Sequence, residues 1–284
     1  MLLLILKGSI AALILAIGMS ATIDDITYLW RRPVLLLKSI VAMYVIMPVV
    51  AVCMARILDL PPKTELALVV LAICAGAPLL PKKLIRFGGD PAYVFSLIFT
   101  TSLLAIVTVP ASLQLLDGVI NADSMIATPF DIARIILKSF LLPLGAGMAL
   151  RLVMPAFCDR IGDWLIKIAG SIMGLCALII MAVGLRLVFE IGLSSVLAFA
   201  VFTAAAIVGG HLLGGPEEFN RTSLAVACAS RHIGLALLIA AHTPGRDAVA
   251  LVVAYLLASA IVSILYVRWV TKKRARSGQA MEKP

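Results

Sequence analysis

Charge is what this sequence has least of. Asp, Glu, Lys and Arg make up only 14% of its 284 residues, against roughly a quarter in a soluble domain. No polar stretch is long enough to form a soluble domain of its own. The five cysteines include no Cys-x-x-Cys pair and lie in or beside apolar segments. They read as small buried hydrophobes rather than disulfide partners or metal ligands. No phosphate-binding loop and no nucleophile–base pattern stands out, so neither an enzyme nor a cofactor is expected. The formal net charge is +9, but the basic residues are scattered over loops and the C-terminal tail. That distribution argues against a nucleic-acid partner.

What is present is apolar. Hydrophobic residues make up 62% of the chain and the mean hydropathy is +1.11. This is the composition of an all-α, polytopic membrane protein. Nine apolar segments are expected as spans, at 2–22, 33–55, 65–87, 91–116, 131–154, 161–188, 191–213, 222–242 and 247–270. The first lacks a basic start, so it reads as a span rather than a signal peptide. With nine spans, thirteen Lys and Arg fall on one side (Arg31, Arg32, Lys82, Lys83, Arg86, Arg151, Arg160, Arg221, Lys272, Lys273, Arg274, Arg276, Lys283) and four on the other (Arg56, Lys63, Arg186, Arg246). The positive-inside rule then puts the N-terminus outside and the C-terminus in the cytoplasm, in a bacterial inner membrane. The loop at 117–131, with three Asp and no cation, is expected outside. The basic tail 271–284 is expected near anionic lipid heads.

The stretch Thr222–Ala241 carries the chain's most expensive residues. Arg231 and His232 are the tenth and eleventh of its twenty residues, as far from either water phase as a span allows. Such residues usually face a protein interior or a wet cavity and carry function. Ser230 and other small residues surround them, and Gly234 weakens the helix locally. Two readings stand: a substrate-site helix, or a structural arginine bonded to the carbonyls of a neighbouring helix. The third segment, Glu65–Phe87, carries Gly76, Pro78 and Pro81, which predict a break at membrane depth. Lys82 and Lys83 follow, either capping the cytoplasmic end or turning into the cavity beside the break. The third and eighth segments run in opposite directions and end in similar turns. Segments one to four and six to nine, about 1–116 and 161–270, therefore suggest inverted repeats within one transport domain, 1–270.

Leu13–Pro48 then resembles the bile acid:sodium symporter superfamily. Gly18-Met19, Arg32-Pro33 and Met47-Pro48 follow that family's order and spacing. Gly76, Pro78 and Gly89-Asp90 resemble its first crossover helix. Arg221-Thr222 and Gly234-Leu235-Ala236 resemble the frame of its second. The resemblance implies a panel and a core domain, two broken helices crossing in the core, and transport of organic anions by alternating access. It also implies sodium ligands, and here the sequence departs. Pro81, Lys82 and Lys83 stand near a Ser-Asn pair, and Ala227 stands at a Glu. Arg231 and His232 stand at a Gln-Asn pair, while Val94 and Ile98 stand where Ser and Thr are expected. Cations in such a site repel sodium.

The expected protein is thus a secondary transporter for a small organic anion that bypasses the family's sodium sites. The expected substrate-binding residues are Arg231, His232, Ser230, Pro78, Lys82 and Lys83. Arg231 would stand in for the ion's charge, and His232 would offer proton coupling. A sodium symporter with relocated ligands and a non-transporting membrane sensor are the alternatives.

Overall fold

The computed structural model describes residues 2–75, 90–120, 129–231 and 247–276. Every regular element among them is helical. α1 (Leu2–Ser20) is followed by the short α2 (Ile23–Thr27). A single span holds α3 (Pro33–Ile40), a π-helical stretch (Val41–Ile46) and α4 (Met47–Ile57). Next come α5 (Pro62–Ile73) and α6 (Pro91–Ile120). α7 (Pro129–Ile136) leads through a second π-helical stretch (Leu137–Leu141) into α8 (Leu142–Val153). α9 (Pro155–Ile191), α10 (Leu193–Leu213), α11 (Glu218–Ala229) and α12 (Asp247–Arg276) complete the series.

The prolines explain many of the starts. α3, α5, α6, α7 and α9 each begin on a proline. At that position the missing N–H would have had no partner anyway, and the ring pre-sets the helical φ. α9 and α10 are separated by Gly192 alone, at φ +89°, a conformation that L side chains rarely adopt. α6 runs on through Ile120 and α7 starts at Pro129. The connection expected at 117–131 is therefore helical at both of its ends.

Among the described residues, four helical stretches are long and apolar enough to cross a bilayer: Pro33–Ile57, Pro91–Ser112, Leu193–Leu213 and Ala250–Arg274. The molecule is an all-α integral membrane protein. α10 shows how such a helix divides its surface. Leu197, Val201, Val208 and Leu212 form an exposed stripe, while Phe199, Phe202, Ala206 and Gly210 are buried. In a bilayer the exposed stripe meets lipid.

Two groups of helices pack especially closely. α1 lies along α8 and α9, and α10 lies along α11 and α12. Glycines permit both contacts, because helices in lipid associate through close backbone packing. A Cβ on Gly147 would lie 2.2 Å from Leu15 O, and one on Gly18 would lie 2.3 Å from Leu144 O. Likewise, a Cβ on Gly210 of α10, or on Gly214 that caps it, would meet the backbones of Ala225 and Arg221 on α11 at 2.6 and 2.4 Å. This seats α11 against α10.

The loops sort onto two ends. Arg32 pairs with Glu217 at 3.7 Å, and Arg274 with Glu218 at 3.6 Å. These contacts bring the α2–α3 turn, the start of α11 and the end of α12 together. At the opposite end of α10, Ser195 shares a 2.8 Å hydroxyl–hydroxyl bond with Thr64 of α5.

The glycine contacts make a paired test. Gly147→Ala forces backbone apart and is expected to cost about 1–3 kcal/mol, the usual scale of overpacking. Gly145→Ala, with nothing within 4 Å of its Cβ, is expected to be neutral or to gain up to ~1 kcal/mol from helix propensity. Melting temperatures of the two purified variants in one detergent check the difference. Equal melts would overturn the close-packing account.

Candidate functional site

α5 and α11 both stop short within the protein interior. α5 ends at Ile73, and Cys74 leaves the helix at φ −78°, ψ 69°. The cause lies downstream in the sequence. A proline ring clashes with the carbonyl four residues before it, and Pro78 stands four after Cys74. α11 ends at Ala229, and Ser230 is extended at φ −107°, ψ 118°. The span expected over Thr222–Ala241, weakened at Gly234, thus leaves the helix at Ser230, immediately before its central cation.

Arg231 follows that interruption. It is 1% exposed and is the first of the largest fully buried side chains. One edge of its guanidinium is bonded to backbone. Nη1 donates to Ala72 O of α5 at 3.3 Å and to Met43 O of the first π-helical stretch at 3.4 Å. The last carbonyls of a helix have no partner within it and carry roughly half a negative charge. A guanidinium there satisfies a carbonyl and meets the dipole. Met43 O is available for a related reason. In the i→i+5 pattern of a π-helix its donor would be residue 48, and Pro48 has no N–H.

On the other edge, Nε and Nη2 of Arg231 are buried and have no hydrogen-bond partner among the described residues. The Phe202 ring lies 5.9 Å from the guanidinium carbon. Tyr44, Cys74, Cys228 and Tyr255 lie within reach of its field. Among the described residues no carboxylate pairs with it. Tyr255 donates to Ala229 O at 2.6 Å, capping the last carbonyl of α11 as Arg231 caps the end of α5.

The positions that the family resemblance assigns to sodium ligands hold apolar side chains. Val94, Ile98 and Ala227 are 0%, 2% and 0% exposed. The nearby hydroxyls of α6 are committed elsewhere. Ser96 Oγ donates to Ile26 O at 2.6 Å and accepts from Leu29 N at 2.9 Å. Thr100 Oγ1 accepts from Trp30 Nε1 at 2.9 Å. Both tie the α2–α3 turn to α6.

Of the expected site residues, Arg231 and Ser230 are described, and the structure puts both at the end of α11. His232, Pro78, Lys82 and Lys83 lie outside the described residues. Carbonyls of neighbouring helices were one of the two expected partners of Arg231, and the structure shows two such bonds; sequence reasoning did not name Met43 or Ala72, and it missed Tyr255. Pro48 is the one signal that could have pointed to Met43.

Two interrupted helices closing on a buried cation, inside an all-helical bundle, define a membrane protein built around a polar centre rather than a passive anchor. The model of the sodium bile acid symporter family matches residues 9–208, and the chain belongs to that family. The match ends before α11, so Arg231 lies beyond it. A curated relative, the probable sodium/metabolite cotransporter BASS3, chloroplastic, of Oryza sativa subsp. japonica, is 25% identical over 204 residues. The alignment covers 72% of this chain and 47% of the relative, so the chain matches about half that protein's length.

Tyr255→Phe tests the cap on α11. It keeps the edge-on ring contact with Phe199, 5.9 Å between centroids, but leaves Ala229 O buried without a donor. The expected cost is about 1–3 kcal/mol, the scale of an unsatisfied buried polar group. An unchanged melting temperature would show that the carbonyl finds another partner.

Proposed function

We propose that this protein is a secondary transporter that moves a small organic anion across the membrane by alternating access. In this reading the transport domain spans 1–270 as inverted repeats, and α5 and α11 are the first halves of the two crossing helices. The family membership supports transport. The observation that carries the anion is the guanidinium of Arg231, held by backbone on one edge and without a partner on the other among the described residues. Nε–H and Nη2–H form the planar fork that a carboxylate accepts in a bidentate pair. Arg231 takes the place of a coupling ion's charge, and the apolar Val94, Ile98 and Ala227 support a route that does not use the family's ion-ligand positions. His232, next in sequence, offers proton coupling. Ser230, Pro78, Lys82 and Lys83 complete the proposed substrate surroundings.

Arg231→Lys separates the two edges. A lysine keeps a cation for Met43 O and Ala72 O but has no fork. The expected result is a melting temperature close to that of the parent protein, with carboxylate affinity reduced about tenfold or more. The ligand is the best-stabilising member of a panel of small monocarboxylates. Arg231→Ala should lose affinity and stability together, by a few kcal/mol, because it leaves the carbonyls unpaired. Unchanged affinity in the folded fraction of either variant would leave Arg231 a purely structural cation.

The orientation belongs to the same reading: N-terminus outside, C-terminus in the cytoplasm of a bacterial inner membrane. The joining of Arg32, Arg274 and the start of α11 at one end supports it. A reporter enzyme active only outside the cytoplasm, fused after Pro284, is expected to be silent. An active fusion would reverse the orientation.

A further inference from the structure

α11 begins at the opposite end from Arg231, and three helix ends meet there around an aromatic cluster. His211, in the last turn of α10, shares a hydrogen bond with the Tyr266 hydroxyl of α12 through Nδ1, at 2.7 Å. The histidine ring stands edge-on to Tyr266 and Trp269, with centroids 5.8 and 6.1 Å away. Tyr266 and Trp269 are themselves 6.1 Å apart. One turn further along α12, the Lys273 ammonium lies 5.6 Å from the Trp269 ring centre, within cation–π range. Arg274, next in sequence, turns to α11. It stacks 4.5 Å over Phe219, donates to Thr222 Oγ1 at 3.1 Å and pairs with Glu218.

The surface beside this cluster changes character in one direction. On α12, Ile261, Leu265 and Trp269 are exposed at intervals of one turn, and the exposed Lys272 and Lys273 follow. On α10, Val208 and Leu212 are exposed, and the helix ends at Leu213. Apolar, then aromatic, then basic is the order met on leaving hydrocarbon for lipid headgroups. The spans Leu193–Leu213 and Ala250–Arg274 both end here, which sets the cluster at that boundary. The charge is one-sided. Among the described residues, the end of α12 and the start of α11 carry five cations (Arg221, Arg268, Lys272, Lys273 and Arg274) against two carboxylates (Glu217 and Glu218). Both carboxylates are already paired, with Arg32 and Arg274.

We propose that the face between the ends of α10 and α12 binds one anionic phospholipid, its phosphate on the Lys273 ammonium and the Trp269 Nε1–H and its acyl chains along Leu212 and Leu265. An indole N–H only donates, and the ring that carries it is flanked by His211, Tyr266 and Lys273. The surplus of positive charge favours a headgroup of net negative charge over one that brings its own cation. The exposed leucines favour a lipid over a free phosphate, which would leave them uncovered. A lipid seated here braces α10 against α12. The site depends on the chain lying in a bilayer and is independent of the Arg231 reading.

The test is a melt of the full-length purified protein in a neutral detergent. It is titrated with phosphatidylglycerol, with phosphatidylcholine of the same acyl chains, or with glycerol phosphate. Phosphatidylglycerol is expected to raise the melting temperature saturably, phosphatidylcholine much less and glycerol phosphate not at all. Lys273→Gln is expected to move the phosphatidylglycerol midpoint about fivefold higher, the scale of one cation at a membrane surface. Trp269→Leu, which changes no charge, should weaken it at least as much. Lys283→Gln takes the same charge from the tail and should leave the midpoint unchanged. If Trp269→Leu fails to fold, Lys273→Gln against Lys283→Gln decides. Equal shifts from the two lipids overturn the proposal. So does a midpoint that neither Lys273→Gln nor Trp269→Leu moves, or one that Lys283→Gln moves as far as Lys273→Gln, which is diffuse attraction to the basic tail. A shift with glycerol phosphate alone makes the site one for free phosphate and overturns it as well.

Discussion

A permanent cation inside a membrane protein must be met by negative potential, and everything around Arg231 follows from that constraint. With no carboxylate pairing with it among the described residues, backbone carbonyls take that role. Carbonyls are free only where a helix stops or loses its pitch. One comes from the last turn of α5 and one from a π-helical stretch just before a proline. The interruption of α5 and the wide turn in the α3–α4 span therefore belong to the same electrostatic arrangement as the arginine. Irregular backbone at membrane depth is tolerated where protein covers it, and here a guanidinium and the Tyr255 hydroxyl provide the missing donors.

The surrounding packing keeps these ends in register. α11 can present Arg231 to α5 because Gly210 and Gly214 let it lie directly against α10. The hydroxyls of Ser96 and Thr100 fasten the α2–α3 turn to α6. That fastening directs them to the α2–α3 turn rather than to the neighbouring apolar positions.

The sequence made the all-helical membrane class readable through simple composition, and the order of Gly18-Met19, Arg32-Pro33 and Met47-Pro48 pointed to the family. It also singled out Arg231 by depth alone. It placed the interruptions less well. The eighth segment reads as weakened at Gly234, yet its helix stops earlier, at Ala229. The third was expected to break around Gly76, Pro78 and Pro81, which lie outside the described residues, and α5 ends shortly before them, at Ile73. Backbone acceptors such as Met43 O carry no side-chain signature, so their part in the site is legible only once the helices are packed.

An arginine built into the chain differs from a bound ion in one energetic respect. A bound ion leaves with its cargo and adds its charge to what crosses the bilayer. Arg231 stays with the protein and returns to its starting point at the end of any conformational cycle. It can screen an anion while both are buried, but it cannot cancel that anion's charge in the net transfer. In the transporter reading, an anion released from such a residue without a co-transported proton carries its full charge through the membrane potential, about 2.3 kcal/mol for each 100 mV. With the interior negative, that term pushes the anion outward.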